Sequence, residues 1–236
     1  MTDPRRHQLV PGVGEQAFVS GGLALFDLDR TIVPGSSLVH LGRVLVRRKM
    51  LSRRRLTAGL ARNAAFRRRG AGDSTAARLR DGLLRHAAGL ERDALLEVVQ
   101  EVTPEIVADA YPAARWLLAE HAAAGDFCVI VSASPQELVE SVVEALGAHR
   151  AVGTEAEVVD GRYTGELAAP FCHGVGKLAR LRAEVGDVRG FRSAGYADSA
   201  SDIPLLRACT RPVAVNPDRH LMALARSTGW PVLRFV

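Results

Sequence analysis

Asp27 and Asp29 stand one residue apart in the run LALFDLDRT at 23–31, with Thr31 two places further on. A carboxylate can act as a nucleophile, as a general acid or base, or as a ligand for a hard cation. Two carboxylates ~4 Å apart repel by about 4 kcal/mol at an effective dielectric near 20. If the pair is buried, a cation or a shared proton has to compensate it; if it is exposed, the two acids simply open a turn, where Asp is common. Similar polar groups recur downstream. Ser132 closes the apolar run FCVIV at 127–131, Lys177 ends CHGVGK at 172–177, and Asp198 and Asp202 flank DSASD after another apolar stretch.

The elements that must carry these residues can be read from the apolar pattern. Leu23 to Phe26 and Phe127 to Val131 are continuous apolar runs of the kind that form central parallel strands buried on both faces. Phe191 to Ala197 and Pro212 to Val215 read as further strands. In open α/β sheets, ligands bind beyond the carboxyl ends of such strands, which is where each polar group falls. Ser134 and Pro135 suit an N-cap and first helical residue, with Glu137 at the capping-box position. That leaves Ser132 free for a phosphate at a helix N-terminus. Lys177 is either an ordinary first-turn lysine or a partner for a phosphate or the aspartates, because a helix N-terminus prefers anions. Asp202 suits an N-cap, a site role, or both. Asp160-Gly161 between alternating segments marks a hairpin. Pro112 and Gly125 bracket a helix through Trp116, Leu117 and Leu118.

From Pro34 to about Val107 the periodicity is helical. Leu38, Leu41, Val44 and Leu45 form one stripe; Leu56, Leu60 and Ala64 a second; Leu79, Leu83 and Leu84 a third; Leu95, Val98, Val99 and Val102 a fourth. This predicts a helical insertion after the first strand. Between Arg30 and Gly72 there is no acidic residue, while eleven basic ones run from Arg43 to Arg69. The stretch is either a solvated helix face or an attractor for anions, and with its apolar stripes it could touch an acidic membrane surface through 43–69. Phe66 is its lone aromatic, which argues against a stacking platform for single-stranded nucleic acid and against an obligate nucleic-acid partner.

The 236 residues, 47% hydrophobic and 24% charged with a formal charge of +5, have ordinary globular composition. Cys128, Cys172 and Cys209 have neither metal-ligand spacing nor a disulfide pattern, which fits a reducing cytoplasm. Residues 1–20 read as a loosely ordered leader without a signal core. No run approaches the ~18 apolar residues that span a bilayer.

Taken in order, Asp27-Asp29-Thr31, Ser132, Lys177, and Asp198 with Asp202 resemble the four sequence signatures of the haloacid dehalogenase superfamily of phosphohydrolases. The phrases VSASP, DGRYTGEL, ADSASDIPLL and VNPDRHL are similar to its subfamily IB, which includes phosphoserine phosphatases, and the resemblance covers nearly the whole chain after residue 20. It implies an α/β fold: a Rossmann-like three-layer αβα core with a parallel sheet at 21–34 and 108–236, and a C1-type helical cap at 35–107. It also implies a Mg2+-dependent phosphatase that hydrolyses a small phosphorylated metabolite through an aspartyl-phosphate. Asp27 would be the nucleophile and Asp29 the acid and then the base. Thr31 would hold the loop, and Ser132 and Lys177 would bind the phosphoryl oxygens. The ion would sit on the Asp27 carboxylate, the Asp29 carbonyl and Asp198, with Asp202 supporting. Nine residues after the nucleophile, phosphoserine phosphatases carry a glutamate that recognises the substrate amino group. Ser36 holds that place here, which leads away from phosphoserine toward another small phosphomonoester, histidinol phosphate and lipid-derived phosphates included. The rival readings are a phosphomutase or phosphotransferase of the same superfamily, and a non-catalytic basic module that binds acidic lipid or nucleic acid.

Overall fold

The computed structural model describes residues 8–9, 18–19, 21–52, 54, 57–58 and 73–236. Within the expected leader, β1 (Gln8–Leu9) pairs antiparallel with β2 (Phe18–Val19). The rest of that leader lies outside the described residues. So do Arg53, Arg55, Arg62, Arg67, Arg68 and Arg69 and the Leu56, Leu60 and Ala64 stripe.

The central strand is β3 (Leu23–Asp27), buried along its whole length. Its neighbours are β4 (Phe127–Pro135) on one side and β8 (Ser193–Ala197) on the other, both parallel to it. With β5 (Arg150–Thr154), β9 (Arg211–Val215) and β10 (Val232–Leu233) they form a parallel six-stranded sheet of order β10-β9-β8-β3-β4-β5. From β3 the chain winds to β5 on one side and then from β8 to β10 on the other. The strand order therefore reverses beside β3, the position at which α/β sheets open a crevice.

Alternation along the strands builds the three layers. Ala24, Phe26, Cys128 and Ile130 face one way, against α3 (Arg92–Ala108), α4 (Pro112–Ala123) and α5 (Gln136–Leu146). Leu23, Leu25, Val129 and Val131 face the other way, against α6 (Val175–Val185) and α7 (Ile203–Ala208). A period of two on strands buried on both faces turns a plain apolar run into two cores. A third cluster joins β8 and β9 to α8 (Arg219–Thr228) through Ala197, Ala214 and Leu221.

Between β3 and α4 lie α1 (Ser37–Arg47), α2 (Asp73–Ala87) and α3, as the helical stripes predict. The two passages that connect this segment to the sheet meet where the Tyr111 amide donates to the Ile32 carbonyl at 2.9 Å. The predicted Asp-Gly hairpin is β6 (Ala156–Val159) and β7 (Arg162–Leu167), with Asp160 and Gly161 both at positive φ. It packs on α2 and the following turn: the Gly89 amide donates to the Tyr163 carbonyl, and the Tyr163 amide to Leu90.

The capping box expected at Ser134 is absent from the fold. Strand β4 continues through Pro135, α5 starts at Gln136, and no side chain caps it. Glu137 is drawn instead to the Tyr163 hydroxyl, which donates to it at 2.7 Å. Tertiary partners outcompete the local cap because both groups are buried and the Tyr163 hydroxyl needs an acceptor there. Asp202 likewise precedes α7 without capping it through its side chain.

Candidate active site

Register brings the site together. Asp27 pairs with Val131 of β4, so Ser132 lies one residue beyond it; Phe26 pairs with Tyr196 of β8, so Asp198 emerges just past the same level. The tight loop after β3 is held by amides of Thr31, Ile32 and Val33 donating to the Leu28 carbonyl. Leu28, Ile32 and Val33 are buried and anchor it from below.

Asp27 is buried and both its oxygens are engaged. Lys177 Nζ donates to Oδ1 at 2.6 Å, and Thr31 Oγ1 donates to Oδ2 at 3.3 Å. Lys177, 3% exposed, also lies 2.6 Å from Asp202 Oδ1. Asp202 accepts as well from Ser199 Oγ at 2.8 Å. The sequence alternative of an ordinary first-turn lysine is thereby removed: the first turn of α6 buries an ammonium between the carboxylate that ends β3 and one from the turn before α7.

Asp198 is paired with Arg30, whose Nε stands 2.8 Å from Oδ2. Arg30 takes a left-handed backbone, φ 65°, with its amide donating to the Gly35 carbonyl. The sequence reading passed over Arg30. A basic residue directly after the second aspartate was the available signal. Ser132 is buried, and its Oγ accepts from the Ser134 amide at 3.2 Å. Ser134 Oγ meets Ser37 Oγ at 2.7 Å and so ties the end of β4 to the start of α1.

Asp29 takes a different direction from Asp27. Its Oδ1 accepts from the Ser37 amide at 2.8 Å and its Oδ2 from Ser36 Oγ at 3.0 Å. Ser36, the position singled out for substrate recognition, therefore places its hydroxyl on Asp29.

Burial dominates the electrostatics. It pushes Asp27 up to about 7, with Lys177 opposing. Burial and then the Asp27 carboxylate push Asp198 up to about 8, with Arg30 opposing. Burial works against the Lys177 ammonium, yet Asp202 and Asp27 outweigh it and raise its pKa above the ordinary lysine value.

Asp27, Asp198 and Asp202 each offer a carboxylate oxygen, and these lie within 4.8 Å of one another. Buried hard oxygen donors at this spacing suit a divalent cation such as Mg2+. Three carboxylates against Lys177 and Arg30 leave the cluster short of positive charge, which a divalent ion would supply. Asp202 stands within the same cluster, with its oxygens also on Lys177 and Ser199.

The sequence profile of the haloacid dehalogenase-like hydrolases matches residues 24–207. A Mycobacterium tuberculosis protein named phosphoserine phosphatase SerB1 is 36% identical over 219 residues, 90% of this chain and 70% of the relative. A Neisseria meningitidis histidinol-phosphatase is 34% identical over 229 residues, 90% of this chain and 98% of that protein. A crystal structure of a Bordetella pertussis protein of unknown function superposes with a TM-score of 0.78 at 30% identity, covering 89% of this chain and 97% of that one.

Proposed function

The chain belongs to the haloacid dehalogenase-like hydrolases, and on that premise we propose that it hydrolyses a small phosphomonoester through an aspartyl-phosphate formed on Asp27, with Mg2+ as its cation. The observation that carries this reading is Asp27 itself: a buried carboxylate at a strand end, with Lys177 on one oxygen, Thr31 on the other and Asp29 two residues away.

Asp27 attacks phosphorus, an Asp27 O–P bond forms, and the ester P–O bond breaks. Asp29 gives its proton to the departing alkoxide and later takes one from the water that attacks the phosphoenzyme, releasing inorganic phosphate. Lys177 and Ser132 hold phosphoryl oxygens. The Ser132 hydroxyl accepts from the Ser134 amide and so keeps its own proton to donate. Asp27 and Asp198, with Asp202 beside them, would hold the ion, which supplies charge neutralisation between a phosphate dianion and a nest of acids. The helices α1 and α3, inserted between β3 and α4, would serve as part of a cap.

The relatives bear names for two different phosphomonoesters. With Ser36 in place of a glutamate, we assign the substrate class as small phosphomonoesters other than phosphoserine. We place the protein in the cytoplasm on the support of three free, buried and widely separated cysteines; no described helix is long and apolar enough to cross a membrane. Contact of 43–69 with an acidic surface rests on a narrower basis than the sequence suggests, because Arg47 and Arg48 are paired with Glu97 and Glu101.

The test is phosphate release from p-nitrophenyl phosphate. Activity should need Mg2+, vanish with chelator and vanish in Asp27→Asn, which keeps the size of the side chain and removes its charge. Turnover by Asp27→Asn at the wild-type rate would end the assignment.

A further inference from the structure

Both oxygens of Asp29 are held by consecutive residues at the start of α1, Oδ1 by the Ser37 amide and Oδ2 by the Ser36 hydroxyl. We propose that Ser36 is a positioning residue that fixes the Asp29 carboxyl for proton transfer, and that it makes no contact with the substrate. The inference rests on the reading of Asp29 as acid and base given above.

Three observations carry it. A serine hydroxyl has one proton, and at 3.0 Å from Oδ2 that proton is committed to Asp29. A carboxyl with one hydrogen bond can swing about its terminal torsion, which is broad for Asp; one gripped at both oxygens cannot. Finally, the grip comes from the first turn of α1, and that turn is itself tied to the sheet through Ser37 Oγ and Ser134 Oγ at 2.7 Å. Asp29 is therefore referenced to β4, which carries Ser132, as well as to its own loop. Proton transfer requires heavy-atom approach within hydrogen-bond distance, so a carboxyl that rotates freely spends less of its time in line with the leaving oxygen.

This changes what the missing glutamate means. The position where phosphoserine phosphatases read an amino group is occupied here by a hydroxyl bonded to Asp29, so the enzyme needs no ammonium on its substrate at this point.

The experiment compares Ser36→Ala, Ser36→Thr and Asp29→Asn, each saturated with Mg2+, on p-nitrophenyl phosphate and on ethyl phosphate. Ethoxide is the poorer leaving group and depends more on an acid. Ser36→Ala should lower kcat about tenfold, the size of one hydrogen bond to a charged group, with KM within about twofold. The loss should be larger on ethyl phosphate, and Ser36→Thr, which keeps the hydroxyl, should recover most of it. In the Asp29→Asn background Ser36→Ala should add nothing further. A raised KM with unchanged kcat would make Ser36 a substrate contact and overturn the proposal, as would wild-type kinetics in Ser36→Ala beside an inactive Asp29→Asn. Full activity of Asp29→Asn would instead remove the underlying acid–base reading.

Discussion

Asp27 and Asp198 titrate in the folded chain well above an ordinary aspartate, and burial is the first cause in both. The sign of the consequence follows from proton counting. Between the ordinary Asp value near 4 and about 8, the folded chain binds more protons than the unfolded one, so stability falls as pH rises through that interval. With chelator present, the melting temperature should drop between pH 6 and pH 8.5, and added Mg2+ should recover it most at the higher pH, where the carboxyls are ready to bind without losing protons. A melting temperature that rose with pH in chelator would contradict the burial of this cluster.

Elements bring the cluster together, and one glycine measures how tightly. Gly176 sits in the first turn of α6 next to Lys177, and a Cβ there would stand 1.9 Å from the Phe171 carbonyl oxygen. Backbone cannot yield as a flexible side chain would. Gly176→Ala should therefore shift the start of α6, draw the ammonium from between Asp27 and Asp202, and reduce phosphatase activity at least tenfold. Gly82, inside α2, has nothing within 4 Å of such a Cβ; Gly82→Ala should leave activity unchanged and stabilise the chain by about 0.5–1 kcal/mol through helix propensity. Melting curves and turnover measured on the two variants separate local strain from a general intolerance of alanine.

Across the whole molecule, the basic balance is partly neutralised where helices meet. Arg47, the last residue of α1, and Arg48 directly after it both reach Glu101 of α3, and Arg48 also reaches Glu97. Exposed pairs of this kind are screened by salt and add little to stability, but they set how much positive charge α1 presents. Glu101→Gln should leave the melting temperature almost unchanged while raising co-sedimentation with phosphatidylserine vesicles at low salt. No gain in sedimentation would argue that α1 is not the contact face.

By itself the sequence determined which polar residues follow which strand, because buried parallel strands are short apolar runs and polar groups must fall at their ends. It also determined the helical segment after β3 and the Asp160-Gly161 turn, whose signals are local. Tertiary structure alone decided the partners. Ser134 bonds Ser37 in place of capping α5, Glu137 turns to Tyr163, Lys177 lies between Asp27 and Asp202, and Arg30 pairs with Asp198. Each of these choices is made between groups far apart in the chain. Burial makes an unpartnered polar group expensive enough to override a local preference, and a single sequence carries the local preference without that penalty.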